Sequence, residues 1–221
     1  MTEPRRTPRQ DRSRARVESL LDAAERVFAA RGYAEATTNH IAAEAGGSIG
    51  ALYRFFPDKQ SILLAIADRY DARMRALAEA LTGEDPAGMS LRAMVGRGAR
   101  AFNAFLVAHP GFRVLMDELP RNEALRERAA RQQGDMAQIV GAMQAALAPD
   151  RPAAEQVAVT QVTVSVLSHL QGLSLMGDED HRARILDELI TLVTVYLAHR
   201  LGLDPDAPLP RPSEPHAARR H

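Results

Sequence analysis

Four side chains that can donate hydrogen bonds fall close together in the sequence: Ser48, Tyr53, Arg54 and Lys59. Lys59 is the only lysine among the 28 lysine and arginine residues. Hydroxyl, guanidinium and ammonium groups donate to phosphate oxygens, and arginine also fits the acceptor edge of guanine. Gly50 lies between them, where a missing side chain lets a partner approach the backbone closely. These residue types suit binding of a phosphate-rich partner better than cleavage of a bond.

The residues just before this group would position it through a helix and a turn. Thr37 and Thr38 favour the start of a helix at about 38–45, because a threonine hydroxyl can accept from a free N–H of the first turn. Gly46 and Gly47 follow that helix and favour a tight turn.

A second short helix and a long one follow the turn. Ser48 is suited to cap a helix that continues to about Phe56. Pro57 ends it, and Asp58 is suited to cap a helix at about 59–81. Two short helices joined by a tight turn are typical of a helix-turn-helix, whose second helix enters the major groove of DNA.

The rest of the chain is helical in pattern. Apolar residues at intervals of three and four predict an amphipathic helix at about 13–31, which Gly32 ends. Residues 82–90 are rich in turn-forming types, and further helical segments follow them as far as Leu203. No segment alternates as a strand would. The sequence therefore predicts an all-α protein with about nine helices.

Composition excludes several classes of protein. With 46% hydrophobic residues in 221, the chain can bury a core, and the absence of cysteine excludes disulfide and thiolate-metal frameworks. The most apolar run, 157–176, carries too many polar residues to span a membrane, and the N-terminus lacks the apolar run of a secretory signal. We expect a cytoplasmic protein with no membrane contact and no cofactor. The arginine-rich start, residues 1–16, fits either a solvated tail or an arm that contacts DNA.

Two sequence matches to catalytic motifs and one acidic cluster are better explained by roles in forming helices and turns than by catalysis or metal binding. Residues 46–50 match G-x-S-x-G, and Gly96 with Gly98 resembles part of a dinucleotide fingerprint, but neither follows a strand as those motifs require. The run from Asp178 to His181 places acidic residues at a helix start, where the dipole favours them. We therefore predict no catalytic residues, no metal site and no enzyme activity.

Residues 14–66 resemble the DNA-binding domain of TetR-family transcriptional regulators, through the runs AAERVFAARGYAEATTNHIAAEAG and SIGALYRFFPDKQSILLAI. The resemblance implies DNA contacts from the start of the second helix, the groove-facing side of the third, and anchors around it: Thr37, Thr38, Asn39, Ser48, Ile49, Gly50, Ala51, Tyr53, Arg54 and Lys59. Among these, Tyr53 and Lys59 would hold phosphates, and Arg54 would reach phosphate or a base. It also implies a small core of Phe28, Ile41, Leu52 and Phe56.

One residue departs from the family pattern. At Gly47 the family usually carries a larger, often β-branched, core residue. We expect the absence of that side chain to loosen the turn and to cost roughly 1 kcal/mol or more of stability.

The resemblance also implies a ligand-sensing and dimerising domain after the helix-turn-helix. We divide the chain into a disordered basic arm (1–12), a DNA-binding domain (13–58), a sensing and dimerisation domain (59–203) and a disordered proline-rich tail (204–221). The candidate ligand pocket consists of Met94, Phe102, Phe105, His109, Phe112, Met116, Gln133, Met136, Ile139, Met143, Gln161, Ser165 and His169. The candidate dimer interface consists of Val164, Leu167, Ser168, Gln171, Gly172, Leu175, Ile190, Val193, Leu197 and Leu201.

The sequence thus predicts a ligand-responsive regulator, most simply a repressor. It would bind a palindromic double-stranded DNA operator as a homodimer and leave it when a small, mostly apolar effector binds. Two other classes stay open at this stage. One is a helical carrier or binding protein in which the helix-turn-helix is incidental, and the other is a scaffold that keeps the fold without operator binding.

Overall fold

A computed structural model of the chain describes residues 8–83, 88–109 and 111–209. Within these ranges the chain is all-α, as predicted, with nine α-helices and one short 3₁₀-helix. The α-helices are α1 (Pro8–Glu35), α2 (Thr38–Glu44), α3 (Ile49–Tyr53), α4 (Lys59–Thr82), α5 (Leu91–Ala108), α6 (Gly111–Glu118), α7 (Glu123–Leu147), α8 (Ala153–Ser174) and α9 (Glu179–Leu201), and the 3₁₀-helix is Leu119–Arg121.

Helix α1 corrects the predicted boundary of the basic arm. It begins at Pro8, so residues 8–12 are helical and not disordered, while the first seven residues of that arm lie outside the described part of the chain. Proline is well tolerated in the first turn of a helix, where its missing N–H has no partner to lose. At the other end Gly32 interrupts the helix with φ 74° and ψ 160°, and one further turn reaches Glu35.

The chain forms two compact units, and the first contains the helix-turn-helix. This unit comprises the described residues of Met1–Ala72 and His109–Arg128. Its core includes Leu20, Phe28, Ile41, Leu52 and Ile62, each at most 1% exposed. Burying each such side chain contributes about 1.5–3 kcal/mol. This packing stabilises α2 and α3, which are too short to persist as isolated helices.

A cluster of charges joins α4 to α1 in the first unit. Arg69 donates to Glu18 at 2.9 Å, to Asp22 at 2.7 Å and to Glu25, and its side chain is only 7% exposed. Burial alone would lower the pKa of Arg69, but the bonds to these carboxylates raise it above its usual value. The guanidinium therefore stays charged. Arg69 and its three carboxylates are called the Arg69 cluster below.

Helix α6 packs beside the same cluster through Tyr70. The Tyr70 hydroxyl donates to Glu25 at 2.7 Å, and the rings of His109 and Phe112 meet the Tyr70 ring edge-on at 5.6 and 5.8 Å. Gly111 fits here because a Cβ would lie 2.8 Å from the Tyr70 hydroxyl oxygen. Any larger residue at the start of α6 would have to displace the side chains of Tyr70 and Glu25.

The second unit comprises the described residues of Arg73–Ala108 and Ala129–His221. Its main core cluster gathers side chains from α5, α7, α8, α9 and the segment after α9: Leu91, Met94, Leu147, Val159, Val193, Leu197, Ala198 and Leu209. Neutral polar groups are buried beside it. Asn103 donates to Gln171 at 3.0 Å and to Ser174 at 2.8 Å, and Gln171 donates to the Ala99 carbonyl at 2.8 Å. These residues form the Asn103 network, which joins α5 to α8.

The segment after α9 corrects the predicted disordered tail. Leu209 is 5% exposed, and its N–H donates to the Met89 carbonyl at 2.8 Å. Arg92 bonds Asp206 at 2.7 Å, a bond that lowers the pKa of this carboxyl group. An apolar residue among the prolines explains why residues 204–209 pack, whereas the rest of that tail lies outside the described residues. The other boundaries between the predicted domains stay predictions.

Candidate DNA-binding interface

Side-chain caps and a glycine define the α2–α3 turn, as predicted. Thr37 accepts from the His40 N–H at 3.2 Å at the start of α2, and Ser48 accepts from the Ala51 N–H at 3.2 Å at the start of α3. Gly46 adopts φ 62°, a left-handed conformation that costs glycine little. Local sequence signals therefore define where α2 and α3 begin and where the chain turns between them.

The predicted groove-facing side of α3 is open. Ser48, Gly50, Tyr53 and Arg54 are exposed, and Tyr53 is 51% exposed. A Cβ placed on Gly50 would meet no atom within 4 Å. The opposite side of the helix carries the fully buried Leu52. The structure thus presents these donors together on one free surface, with Ile49 and Ala51 half-buried at its edge.

The start of α2 meets the end of α3 at this surface. The hydroxyls of Thr38 and Tyr53 lie 3.2 Å apart, and Thr37 and Asn39 are exposed beside them. The pair fixes the Tyr53 ring, and each hydroxyl keeps further hydrogen-bonding capacity for a phosphate oxygen. DNA contacts by these residues stay predictions, but the structure brings the predicted group together.

Lys59 has a structural role that sequence reasoning missed. Its ammonium donates to the carbonyls of Tyr33 (2.6 Å), Ala34 (3.0 Å) and Ala36 (2.9 Å), and it lies 4.5 Å from the centre of the Tyr33 ring. Burial raises the pKa of Tyr33, with smaller contributions from Glu118 and Asp58.

All three N–H groups of Lys59 are thus used to close the end of α1. The predicted phosphate contact stays a prediction, and it requires Lys59 to exchange at least one carbonyl for a phosphate oxygen.

The sequence predicted a loosened turn at Gly47, but another side chain fills the space there. Arg16 in α1 donates to the Ala45 carbonyl at 3.3 Å, and its guanidinium occupies the space beside Gly47. The missing side chain at residue 47 is therefore replaced by one that is distant in sequence. The glycine at residue 47 indicated in the sequence that a gap exists in the turn, but it did not indicate that Arg16 fills it.

The predicted ligand-pocket residues are divided between the two units. His109, Phe112 and Met116 belong to the first unit, and the other ten belong to the second. Met94 lies in the main apolar core with Met143 packed against it, so both serve as core residues. The structure leaves Phe102, Phe105, Met136 and Ile139 half-buried.

The predicted polar pocket residues point elsewhere. Gln161, Ser165 and His169 are exposed on α8, and Ser165 accepts from Gln133 at 3.3 Å. A polar cavity of about 530 Å³ in the first unit is lined by different residues: Tyr33, Gln60, Glu118, Arg121, Asn122, Glu123, Ala124 and Glu127. The effector pocket therefore stays a prediction.

Half of the predicted dimer interface is buried within the chain itself, and the interface stays a prediction. Val164, Gln171, Ile190, Val193 and Leu197 are each at most 7% exposed. Leu167 and Leu201 also pack against the core, Gly172 and Leu175 are half-buried, and Ser168 is exposed. Because α8 is apolar on several sides, periodicity alone could not show which side packs inward.

A different side of α8 and α9 carries exposed apolar residues. Val162 and Leu173 on α8 are 45% and 39% exposed, and Leu192 and Val195 on α9 are 51% and 55% exposed. Met176 just after α8 is 79% exposed. These five residues are called the α8–α9 apolar face. Exposed apolar patches of this kind mark surfaces that bind other proteins.

Three other predictions concern the acidic run at Asp178, metal sites and membrane-spanning helices. Asp178 caps α9 by accepting from the His181 N–H at 2.8 Å, so the acidic run has the helix-start role that was predicted. No group of three or more potential metal-ligating side chains is found among the described residues. Within those same residues, every helix is either too short or too polar to traverse a bilayer.

Comparisons with known proteins place this geometry in a family. A family model for bacterial regulatory proteins of the tetR family matches residues 20–66, and a tetracyclin repressor-like C-terminal domain matches residues 90–197. The HTH-type transcriptional repressor AcnR of Corynebacterium glutamicum is 31% identical over 115 residues, which cover 47% of this chain and 61% of that protein. The chain thus spans less than two thirds of the length of this relative.

Solved structures share the fold. A TetR-family transcriptional regulator from Mesorhizobium loti aligns with a TM-score of 0.67 at 17% identity, covering 85% of this chain and 98% of that one. One from Streptomyces coelicolor aligns with a TM-score of 0.60 at 24% identity, covering 84% and 99%. Family models match both the helix-turn-helix and the helices after it, and they describe bacterial regulatory proteins and a repressor-like domain. The chain belongs to the TetR family of bacterial regulatory proteins.

Proposed function

We propose that this protein is a cytoplasmic DNA-binding transcriptional regulator, and specifically a repressor. The observation that carries the proposal is the free surface of α3, where Ser48, Gly50, Tyr53 and Arg54 are exposed while Leu52 anchors the helix in the core. A short helix held from behind and open in front is what entry into a major groove requires. The repressor names of the sequence relatives support the same direction of regulation.

We propose further that the protein acts as a homodimer on a palindromic operator. A single five-residue helix offers few base contacts, whereas two copies spaced about 34 Å apart read two half-sites at once. The α8–α9 apolar face supplies an unpartnered surface for this pairing. It replaces the predicted interface residues that pack inside the chain.

The proposed effector is a small and mostly apolar molecule that enters the second unit. The half-buried Phe102, Phe105, Met136 and Ile139 support this class, because flexible methionine and flat aromatic surfaces adapt to varied apolar ligands. The effector must bind the state that cannot dock on DNA more tightly, or no release follows. An effector identified by screening should lower DNA affinity and raise the melting temperature of the free protein.

The main test is selection of bound fragments from random duplex DNA. We expect enrichment of a palindrome, with binding that weakens steeply between 50 and 200 mM salt because phosphate contacts release counterions. Arg54→Ala should reduce affinity by about tenfold and relax preference at one base pair of each half-site if it reads a base. Arg31→Ala, which removes an exposed arginine from α1, is the matched control. Recovery of no enriched sequence would refute operator binding.

The dimer is tested separately by sedimentation. Val195→Asp places a charge in the α8–α9 apolar face and should shift the protein toward monomer by at least tenfold in the dissociation constant. Val107→Asp is the matched control, since Val107 is an exposed valine on α5 (45%) outside that face. Equal effects of the two substitutions would show that the face is not the interface.

A further inference from the structure

Arg16 and Gly47 fit together at the turn before the recognition helix. A Cβ built on Gly47 would lie 2.0 Å from Nη2 of Arg16 and 3.2 Å from its Cζ. The neighbouring Nη1 donates to the Ala45 carbonyl at 3.3 Å. Arg16 is half-buried, and so differs from the exposed arginines Arg12 and Arg14 that precede it in α1.

The backbone does not demand a glycine at residue 47. Among the described glycines, positive φ occurs at Gly32, Gly46, Gly88 and Gly202, and Gly47 is not one of them. Its N–H donates to the Ala42 carbonyl at 2.9 Å, an ordinary contact at a helix end. A side chain at this position would therefore have to displace the guanidinium that occupies the space.

The carbonyl that Arg16 binds lies at an electronegative point. Ala45 is the C-cap residue directly after α2, where the last carbonyls lack partners in the helix and carry the negative end of its dipole. A guanidinium is a planar donor that satisfies such a carbonyl while filling the flat space above a glycine. The contact links α1 directly to the joint between α2 and α3, 29 residues away in sequence.

We propose that Arg16 is a positioning residue for operator recognition, which sets the direction of α3 by filling the turn at Gly47. The proposal rests on the proposed function, since it concerns the same DNA-binding surface. Arg16 fills the space that a side chain at residue 47 would otherwise occupy. The arginine-rich start of the chain therefore contains one residue whose partner is the protein itself, not a phosphate.

The test is a double-mutant cycle with Arg16→Ala and Gly47→Val. Arg16→Ala should weaken binding to the selected operator by about tenfold, because the turn loses both its filler and its bond. Gly47→Val fills the turn from within and displaces the guanidinium. In the Gly47→Val background, Arg16→Ala should therefore change operator affinity less than about twofold.

A further measurement, with a control variant, separates positioning from other roles. Affinity for unrelated duplex DNA should stay within about twofold in Arg16→Ala, because non-specific binding depends on phosphate contacts and not on the direction of α3. A parallel loss for operator and unrelated DNA would instead make Arg16 a phosphate contact and overturn the proposal. Arg14→Ala is the control for removing one positive charge from α1.

Hydrogen exchange tests the inference without DNA. The protection factor of the residue 47 amide, which corrects for the intrinsic rate of each residue type, should fall in Arg16→Ala. It should return toward the wild-type value when Gly47→Val is added, and Arg16→Lys should give an intermediate value. Failure of the wild-type protein to select any DNA would refute the proposed function. The exchange experiment would still test whether Arg16 holds the turn at Gly47. Additive effects of the two substitutions on exchange would overturn the positioning role itself.

Discussion

One polar cluster in each unit joins two helices, and the two clusters use different kinds of contact. In the first unit, Arg69 joins α1 to α4 through three carboxylates, and those of Glu18 and Asp22 remain more than half exposed. In the second, Asn103, Gln171 and Ser174 join α5 to α8 through neutral groups that are each at most 7% exposed.

The difference shows how the cost of burying polar groups shapes a helical protein. Burying an ion pair fully can cost more solvation free energy than the attraction between the charges supplies. In the Arg69 cluster, two of the three carboxylates accordingly stay exposed to solvent. Amides and hydroxyls cost less to bury when each finds a partner, so the Asn103 network can lie in the core. Substitutions in the two clusters should therefore respond differently to salt.

The largest effect is expected from Arg69→Met, which keeps the apolar stem and removes the charge. Three carboxylates would then face one another without a cation, and the free energy of unfolding should fall by about 3 kcal/mol. Urea unfolding measures the loss, and hydrogen exchange should locate it in α1 and α4. Arg31→Met, at an exposed position on α1, is the matched control and should cost less than about 0.5 kcal/mol. Equal losses for the two variants would mean that the cluster contributes nothing.

A smaller effect is expected from Asn103→Ala. It leaves the Gln171 carbonyl oxygen and the Ser174 hydroxyl buried with fewer partners, which should cost about 2 kcal/mol. The loss should appear in the exchange of α5 and α8 and stay the same in 1 M NaCl, because the groups are neutral. Gln138→Ala, an exposed amide on α7, is the control. A loss that shrinks with salt would contradict the contrast between the units.

The smallest effect is expected from Arg26→Gln. Arg26 bonds Glu44 at 2.6 Å between α1 and α2, but the two side chains are 59% and 43% exposed. Such a pair contributes less than about 1 kcal/mol and is screened by salt. The variant and the wild type should therefore have the same stability in 1 M NaCl. A difference that persists at high salt would show a packing role for the Arg26 stem.

Features with local causes could be predicted from the sequence. Caps at Thr37, Ser48 and Asp178 each need an oxygen and an N–H two or three residues later, so the sequence contains the whole interaction. The break at Gly32 likewise needs only a glycine. The all-α fold followed from many such signals acting together.

Features that depend on distant residues could not be predicted. Arg16 meets Ala45 across 29 residues, and Lys59 meets Tyr33 across 26, so neither contact leaves a periodic trace. On α8, apolar residues occur on more than one side, and only the packing of α5 and α9 shows that Val164 points inward while Val162 points outward. Periodicity defines a helix but not its rotation about its own axis when both sides are apolar.

The packed segment after α9 has a practical consequence for protein production. Leu209 shares a cluster with Leu91 and Leu197, and the Ala207 region is held by the contact of Pro208 with Ser90. A protein truncated at the end of α9 would lack Leu209 and would expose the apolar side chains that it covers beside the start of α5. A version trimmed for crystallisation should therefore retain every residue through Leu209, with any purification tag added beyond it.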